Sequence, residues 1–184
     1  MSAAMSAAMT PIDETRVWLE RAVIGLNLCP FAKAVHGKGQ IRWVQSDATE
    51  PVALLKQLVQ ELQLLAQADA DEVDTTLIVH PQVLQDFFDF NDFLGVAEDT
   101  LADLGLEGVL QIASFHPDFQ FADAKPDDMG NCTNRSPYPT LHLLREDSID
   151  RAVQAFPQAE TIYERNIATL KALGLEGWQR LLKP

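Results

Sequence analysis

The sequence predicts a single α/β domain: a small four-stranded sheet, mostly parallel or mixed, with helices packed on it in the order α-β-α-β-α-β-loop-β-α-α. Three observations predict it. Amphipathic stretches of helical period alternate with short runs of β-branched and aromatic residues, the pattern of crossover-connected strands. The chain has 184 residues, 47% of them apolar, enough for one hydrophobic core and short for two. No segment rich in Pro, Gly or Ser divides it, so residues 11–184 form one domain behind a tail at residues 1–10.

The elements follow in order. The opening M-S-A-A-M-S-A-A-M-T is a small-residue repeat without the basic region or Leu-rich centre of a signal peptide, and predicts a disordered tail. Thr10, Pro11 and Asp13 form a helix start: a capping hydroxyl, a proline at the first helical position and an acid in the first turn. Val17, Trp18, Ala22, Val23, Leu26 and Leu28 continue that helix until Pro30 ends or kinks it. Gly37 and Gly39 turn the chain into a strand at Ile41–Gln45. Residues 51–66 place Leu54, Leu55, Leu58, Val59, Leu62 and Leu65 on one helical face.

After an acidic linker, Thr75–His80 is a strand. Residues 83–104 are helical, with Phe87, Phe90, Phe93, Leu94, Ala97 and Leu101 as the buried stripe and Gly105 as its stop. Gly108–Phe115 is the next strand. Pro117–Pro139 is irregular, Thr140–Arg145 is a fourth strand able to pair antiparallel at an edge, and Ser148 caps a short helix that Pro157 closes. A longer helix over 159–173 and a last turn bearing Trp178 complete the chain. The pentapeptide L-G-L-E-G stands at 104–108 and again at 173–177, each time as a glycine stop whose next Leu packs back.

Charge and composition narrow the function classes. A net charge of −13 opposes a nucleic-acid or anionic-membrane partner. No apolar run reaches the ~20 residues of a membrane-spanning helix, so the expected compartment is the cytoplasm. Two cysteines in such a compartment predict free thiols. Signatures for a phosphate-binding glycine loop, a dinucleotide fold, a zincin, an α/β-hydrolase or a thioredoxin are absent.

Two strands end alike, L-I-V-H-P at 77–81 and A-S-F-H-P at 113–117. Ligands of open α/β sheets bind at the carboxyl ends of strands. If the two strands are neighbours, His80 and His116 stand together there, as acid and base or as ligands of a divalent metal; alternatively each caps its strand before a chain-breaking proline. The loop M-G-N-C-T-N-R-S-P-Y-P-T at 129–140 enters the fourth strand nearby. Asn134, Arg135 and Ser136 there, with Tyr138, offer a guanidinium fork, an amide and hydroxyls suited to an anionic small molecule. The alternative is that they tie down the loop's own backbone. Cys29, read as following a helix carboxyl end, is expected in the core; His142 is expected to point away from its Leu neighbours, into solvent or a groove.

Taken together, N-L-C-P-F-A at 27–32, H-P at 80–81, D-F-x-x-F-N-x-F-L at 86–94, L-E-G-V-L-Q-I-A-S-F-H-P at 106–117 and N-x-T-N-R-S-P-Y-P-T-L-H-L-L-R-E at 131–146 resemble the uncharacterised bacterial domain-of-unknown-function 1415 family. The resemblance implies no activity. It singles out Asn27, Cys29, His80, His116, Asn134, Arg135, Ser136 and Tyr138 as the motif residues, with Asn27 joining the expected substrate contacts. Three readings stay open: a small enzyme acting on an anionic molecule through His80 and His116, a non-catalytic metal- or ligand-binding module, and an interaction protein whose polar loop is structural.

Overall fold

Thr10 opens the first helix as its residues require: its hydroxyl accepts the Asp13 N–H and the Asp13 carboxylate accepts the Thr10 N–H, a reciprocal cap with Pro11 at the first helical position. The computed structural model describes residues 8–156, 158 and 161–183. The expected tail lies outside the described residues up to residue 7, as does Pro157.

Helix α1 (Pro11–Trp18) passes into a π-helical turn over Leu19–Ile24. The sequence predicts one helix up to Pro30; instead the chain turns at Gly25–Leu28, with Asn27 at φ 55°, a left-handed conformation that Asn tolerates. Gly25 is required there, because a Cβ would collide with the Arg21 carbonyl oxygen. Pro30 is then the first residue of a new helix, α2 (Pro30–Gly37). A proline whose missing N–H would be unpaired anyway starts a helix as readily as it ends one.

The strands are β1 (Ile41–Gln45), β2 (Thr75–Val79), β3 (Leu110–Phe115) and β4 (Thr140–Arg145), and the remaining helices α3 (Pro51–Gln67), α4 (Phe87–Asp103), α5 (Glu146–Ala155) and α6 (Ile162–Leu182), with a 3₁₀ turn at Met129–Asn134. The sheet order is β1-β2-β4-β3. β1 and β2 are parallel, and β4 is antiparallel to both β2 and β3. The sheet is therefore mixed. β4 pairs antiparallel as the sequence allows, but between two strands and not at an edge, and the condition that β2 and β3 be neighbours is not met: the 116–139 excursion returns β4 between them. In β4, Thr140, Leu141, Leu143 and Leu144 are all buried, as expected of a strand with both faces covered.

One face carries α3 and α4, where Leu54, Leu58, Leu62, Phe90 and Ala97 meet Ile78, Leu141 and Leu143, all fully buried. Each such Leu is stabilising by roughly 1.5–3 kcal/mol relative to exposure. The other face carries α1, the π turn and α6, where Trp18, Ala22, Leu170 and Trp178 form a second cluster with Phe115 and Trp43. Arg145, at the end of β4, donates to Leu65 O and Ala68 O at 2.7 Å, satisfying carbonyls left over at the end of α3.

Both L-G-L-E-G copies break a helix, with Gly105 at φ 71° and Gly174 at φ 67°. Leu106 packs back on the core, whereas Leu175 is 58% exposed, so the second copy kinks α6 without a hydrophobic clasp. Ser148 does not cap α5, which begins at Glu146; inside the first turn its hydroxyl donates to Asp74 at 2.6 Å.

Candidate functional site

Register places the two His-Pro endings symmetrically about β4. Val79 and Phe115 both pair with Thr140, so His80 and His116 flank the chain one step further on. Their N–H groups donate to Pro139 O and Asn134 O. Because β4 intervenes, the backbones are about two strand spacings apart, roughly 9.6 Å. Their rings nevertheless share a wall on the α4 face: Phe90 lies 5.6 Å from the His80 ring and 5.2 Å from that of His116. Both histidines are fully buried.

The tautomers follow from their partners. His80 Nδ1 is 3.0 Å from Val83 O, and a carbonyl only accepts, so the proton is on Nδ1 and Nε2 holds a lone pair. That Nε2 is buried without a partner among the described residues. His116 Nδ1 accepts the Asp118 N–H at 3.0 Å, so its Nε2 carries the proton that it donates to Leu84 O at 3.2 Å. Burial lowers the His80 pKa to about 4, with the neighbouring His116 adding to the shift; burial also lowers that of His116, opposed by the carboxylates of Asp118 and Asp86.

Two strand-end histidines thus hold consecutive carbonyls of one turn, whose Leu84 has φ 57°, a strained conformation for a side chain of that size. Among the described residues no three His, Cys, Asp or Glu side chains are grouped so as to hold a metal ion, and His116 has no free nitrogen to offer one.

The polar loop also spends its side chains on backbone. Asn134 donates to Ser114 O, Ser136 to Tyr138 O, and Asn131 bridges Lys125 O and the Phe121 N–H. Arg135 donates from Nε to Phe119 O at 3.0 Å and from Nη2 to Pro126 O at 2.8 Å. Its guanidinium also lines an open polar cleft of about 460 Å³ with Asp86, Asp118, Gln85, Gln120 and Phe88. Burial raises the pKa of Tyr138, and the nearby carboxylate of Glu14, a residue of α1, adds to the rise. Asn27 is exposed and lines neither this cleft nor the cavity described next. The expected site residues are therefore divided among a histidine clasp, a loop clasp, a cleft edge and an isolated turn.

A second constellation lies on the opposite sheet face. A cavity of about 170 Å³ is walled by Trp18, Val23, Phe31, Leu77, Ala113 and Phe115, with Cys29 and His142 among its lining. The π turn contributes Leu19 and Val23; such turns widen a helix locally and recur at functional sites. Cys29 does not follow a helix carboxyl end, as the sequence suggested, but immediately precedes α2. Burial raises its thiol pKa, while the N–H groups of Phe31 and Ala32 pull the other way.

His142 projects opposite to Leu141 and Leu143, as alternation requires, and is half-buried where it lines the cavity. Thr75 Oγ1 lies 2.6 Å from both Leu143 O and His142 Nε2. The single hydroxyl proton must go to the carbonyl, so Thr75 accepts from His142 Nε2–H. Nδ1 then carries a lone pair that meets no hydrogen-bond donor among the described residues. Burial lowers the His142 pKa to about 4, so the ring is neutral at physiological pH. Sequence reading does not bring Cys29 and His142 to one cavity because most of the chain separates them; the signal available is His142 facing away from two core leucines.

The profile of the family described as "Protein of unknown function (DUF1415)" matches residues 10–180, and the chain belongs to that family. No match was found among curated proteins or among solved structures. No helix among the described residues is long and apolar enough to cross a membrane.

Proposed function

We propose that the protein binds a small, neutral, largely apolar molecule in the cavity between the sheet and the α1–π-turn–α2 layer. The observation that carries this reading is the cavity's combination of apolar walls with one neutral, incompletely bonded imidazole. A few convergent polar groups in an otherwise apolar recess is the usual composition of a ligand site. An apolar cavity of about 150 Å³ stays dry and accepts benzene, so the 170 Å³ here suits a ligand of that cross-section. Toluene is the direct probe. Titrated into the native protein, it should shift the NMR signals of His142 and the Ala113 methyl and leave those of His80 unmoved. Absence of binding, or shifts centred on His80, overturns the reading.

A second reading, an anionic small molecule in the polar cleft, is favoured by the Arg135 guanidinium at its edge and opposed by Asp86 and Asp118 beside it. Inorganic phosphate is its probe. Arg135→Lys keeps the charge but not the planar fork, so a phosphate shift seen in the wild type and lost in this variant supports the cleft, and no shift in the wild type removes it.

A further inference from the structure

The cavity has a neighbour on the far side of Cys29. A second apolar recess, of about 150 Å³, is lined by Cys29, Phe31 and Ile149, three residues that also line the first, together with Ala152, Val153 and Phe156 of the α5 region. Neither lining contains an Asp, Glu, Lys or Arg side chain. The outer recess reaches the surface: Val153 is 51% and Phe156 41% exposed, which is unusual placement for two large apolar side chains unless something covers them or they edge an opening. The two spaces therefore adjoin at these three side chains. Cys29 stands at the joint, and His142 belongs to the inner compartment alone.

Resting on the binding reading above, we propose that the ligand is an elongated aliphatic molecule with an uncharged hydroxyl head, its head at His142 Nδ1 and its chain running past Cys29 into the groove beside α5. The chain class follows from shape. One compartment accepts a benzene-sized group, and two joined at three residues accept a chain about twice as long but no wider. The head class follows from hydrogen bonding. Nδ1 is an acceptor, so the ligand must donate; a hydroxyl does so at little desolvation cost once it is paired.

A free fatty acid has the same chain and the wrong head. No cation lines either space, so its carboxylate would be buried without a counter-charge, and the neutral imidazole offers a lone pair where the anion needs a donor. A cationic amine fares no better among apolar walls.

The test is a chain-length series of 1-alkanols from hexanol to decanol, with dodecanol and dodecanoate compared at pH 7.5. Affinity should rise roughly fourfold with each added CH₂ through decanol. Dodecanol should bind at least about tenfold more tightly than dodecanoate. Ala152→Trp, which fills the outer recess from the exposed side of α5, should weaken decanol and leave toluene unchanged. If toluene and hexanol bind but affinity stops rising beyond hexanol, the cavity is a closed site and the path past Cys29 is overturned while the binding reading stands. If neither toluene nor any alkanol binds, the binding reading itself falls. Dodecanoate binding as tightly as dodecanol overturns the hydroxyl head.

Discussion

The two faces of the sheet use histidine in opposite ways. On the α3/α4 face, His80 and His116 are packed against Phe90 and committed to the carbonyls of Val83 and Leu84. On the other face, His142 has only Thr75 as partner and borders empty space. All three are held neutral by burial, and two are lowered to about 4. Burial and a depressed pKa therefore do not mark a site by themselves. What separates the faces is whether the space around the ring is filled. A ring packed on every side is part of the frame even where a lone pair stays unpaired, as at His80 Nε2, whereas a ring at a cavity wall has room beside it for a further partner.

The largest effect that would sharpen this contrast comes from the filled side. Phe90→Ala removes the wall shared by both imidazoles from a core without slack, and should cost about 3–5 kcal/mol, measured as the shift in urea midpoint at constant m-value. A loss below about 1.5 kcal/mol would mean that the clasp face is loosely packed. The two faces would then not differ as described.

How much of this could be read from the sequence divides along the same line. Helical periodicity found α3 and α4, because Leu54, Leu58 and Leu62 or Phe90, Phe93 and Ala97 repeat a local geometry. Short apolar runs between the helices located all four strands, although only β2 is rich in β-branched residues. Long-range pairing was not legible: nothing local in T-L-H-L-L-R states that it inserts between β2 and β3, and that insertion separates His80 from His116. Pro30 was misread because a proline ends one helix and begins another by the same chemistry, and the error moved Cys29 from a helix end to a helix start. The polar loop is legible as a cluster of hydrogen-bonding side chains, but these are equally suited to a ligand and to backbone carbonyls; distance alone decides, as with Arg135 on Phe119 O and Pro126 O. A cavity is the least legible feature of all, since it is defined by side chains that fail to meet.

Acid provides the next test, with an effect of up to about 1.4 kcal/mol per pH unit for each histidine. An unfolded histidine binds a proton below about 6.5, whereas His80 and His142 do so in the fold only near 4. Between these values the unfolded chain holds more protons, so stability is full above about pH 6.5 and falls as pH drops towards 4. His142→Phe removes one of the three histidines whose pKa burial lowers, while Thr75 keeps its bond to Leu143 O, so the slope of stability against pH over this window should fall by roughly a third to a half. An unchanged slope would place the His142 ring in contact with water and dissolve the likeness between the faces on which the comparison depends.

The smallest expected effect is the most discriminating. Ala113 pairs with His142 across β3 and β4 and lines the cavity. Ala113→Ile adds a β-branched side chain to a strand position that favours one and directs its added methyl groups into empty space. In a filled core such an enlargement typically costs 1–3 kcal/mol through displaced neighbours. Here the added contacts and the removed void should offset the ordering of the side chain, leaving stability within about 1 kcal/mol of the wild type. Toluene binding should nevertheless disappear, because the volume it requires is occupied. The combination of an unaltered fold and lost binding cannot arise from general damage, which would lower both. If Ala113→Ile instead destabilises the protein by 2 kcal/mol or more, the space beside His142 closes in solution, and the two faces of the sheet are equally full.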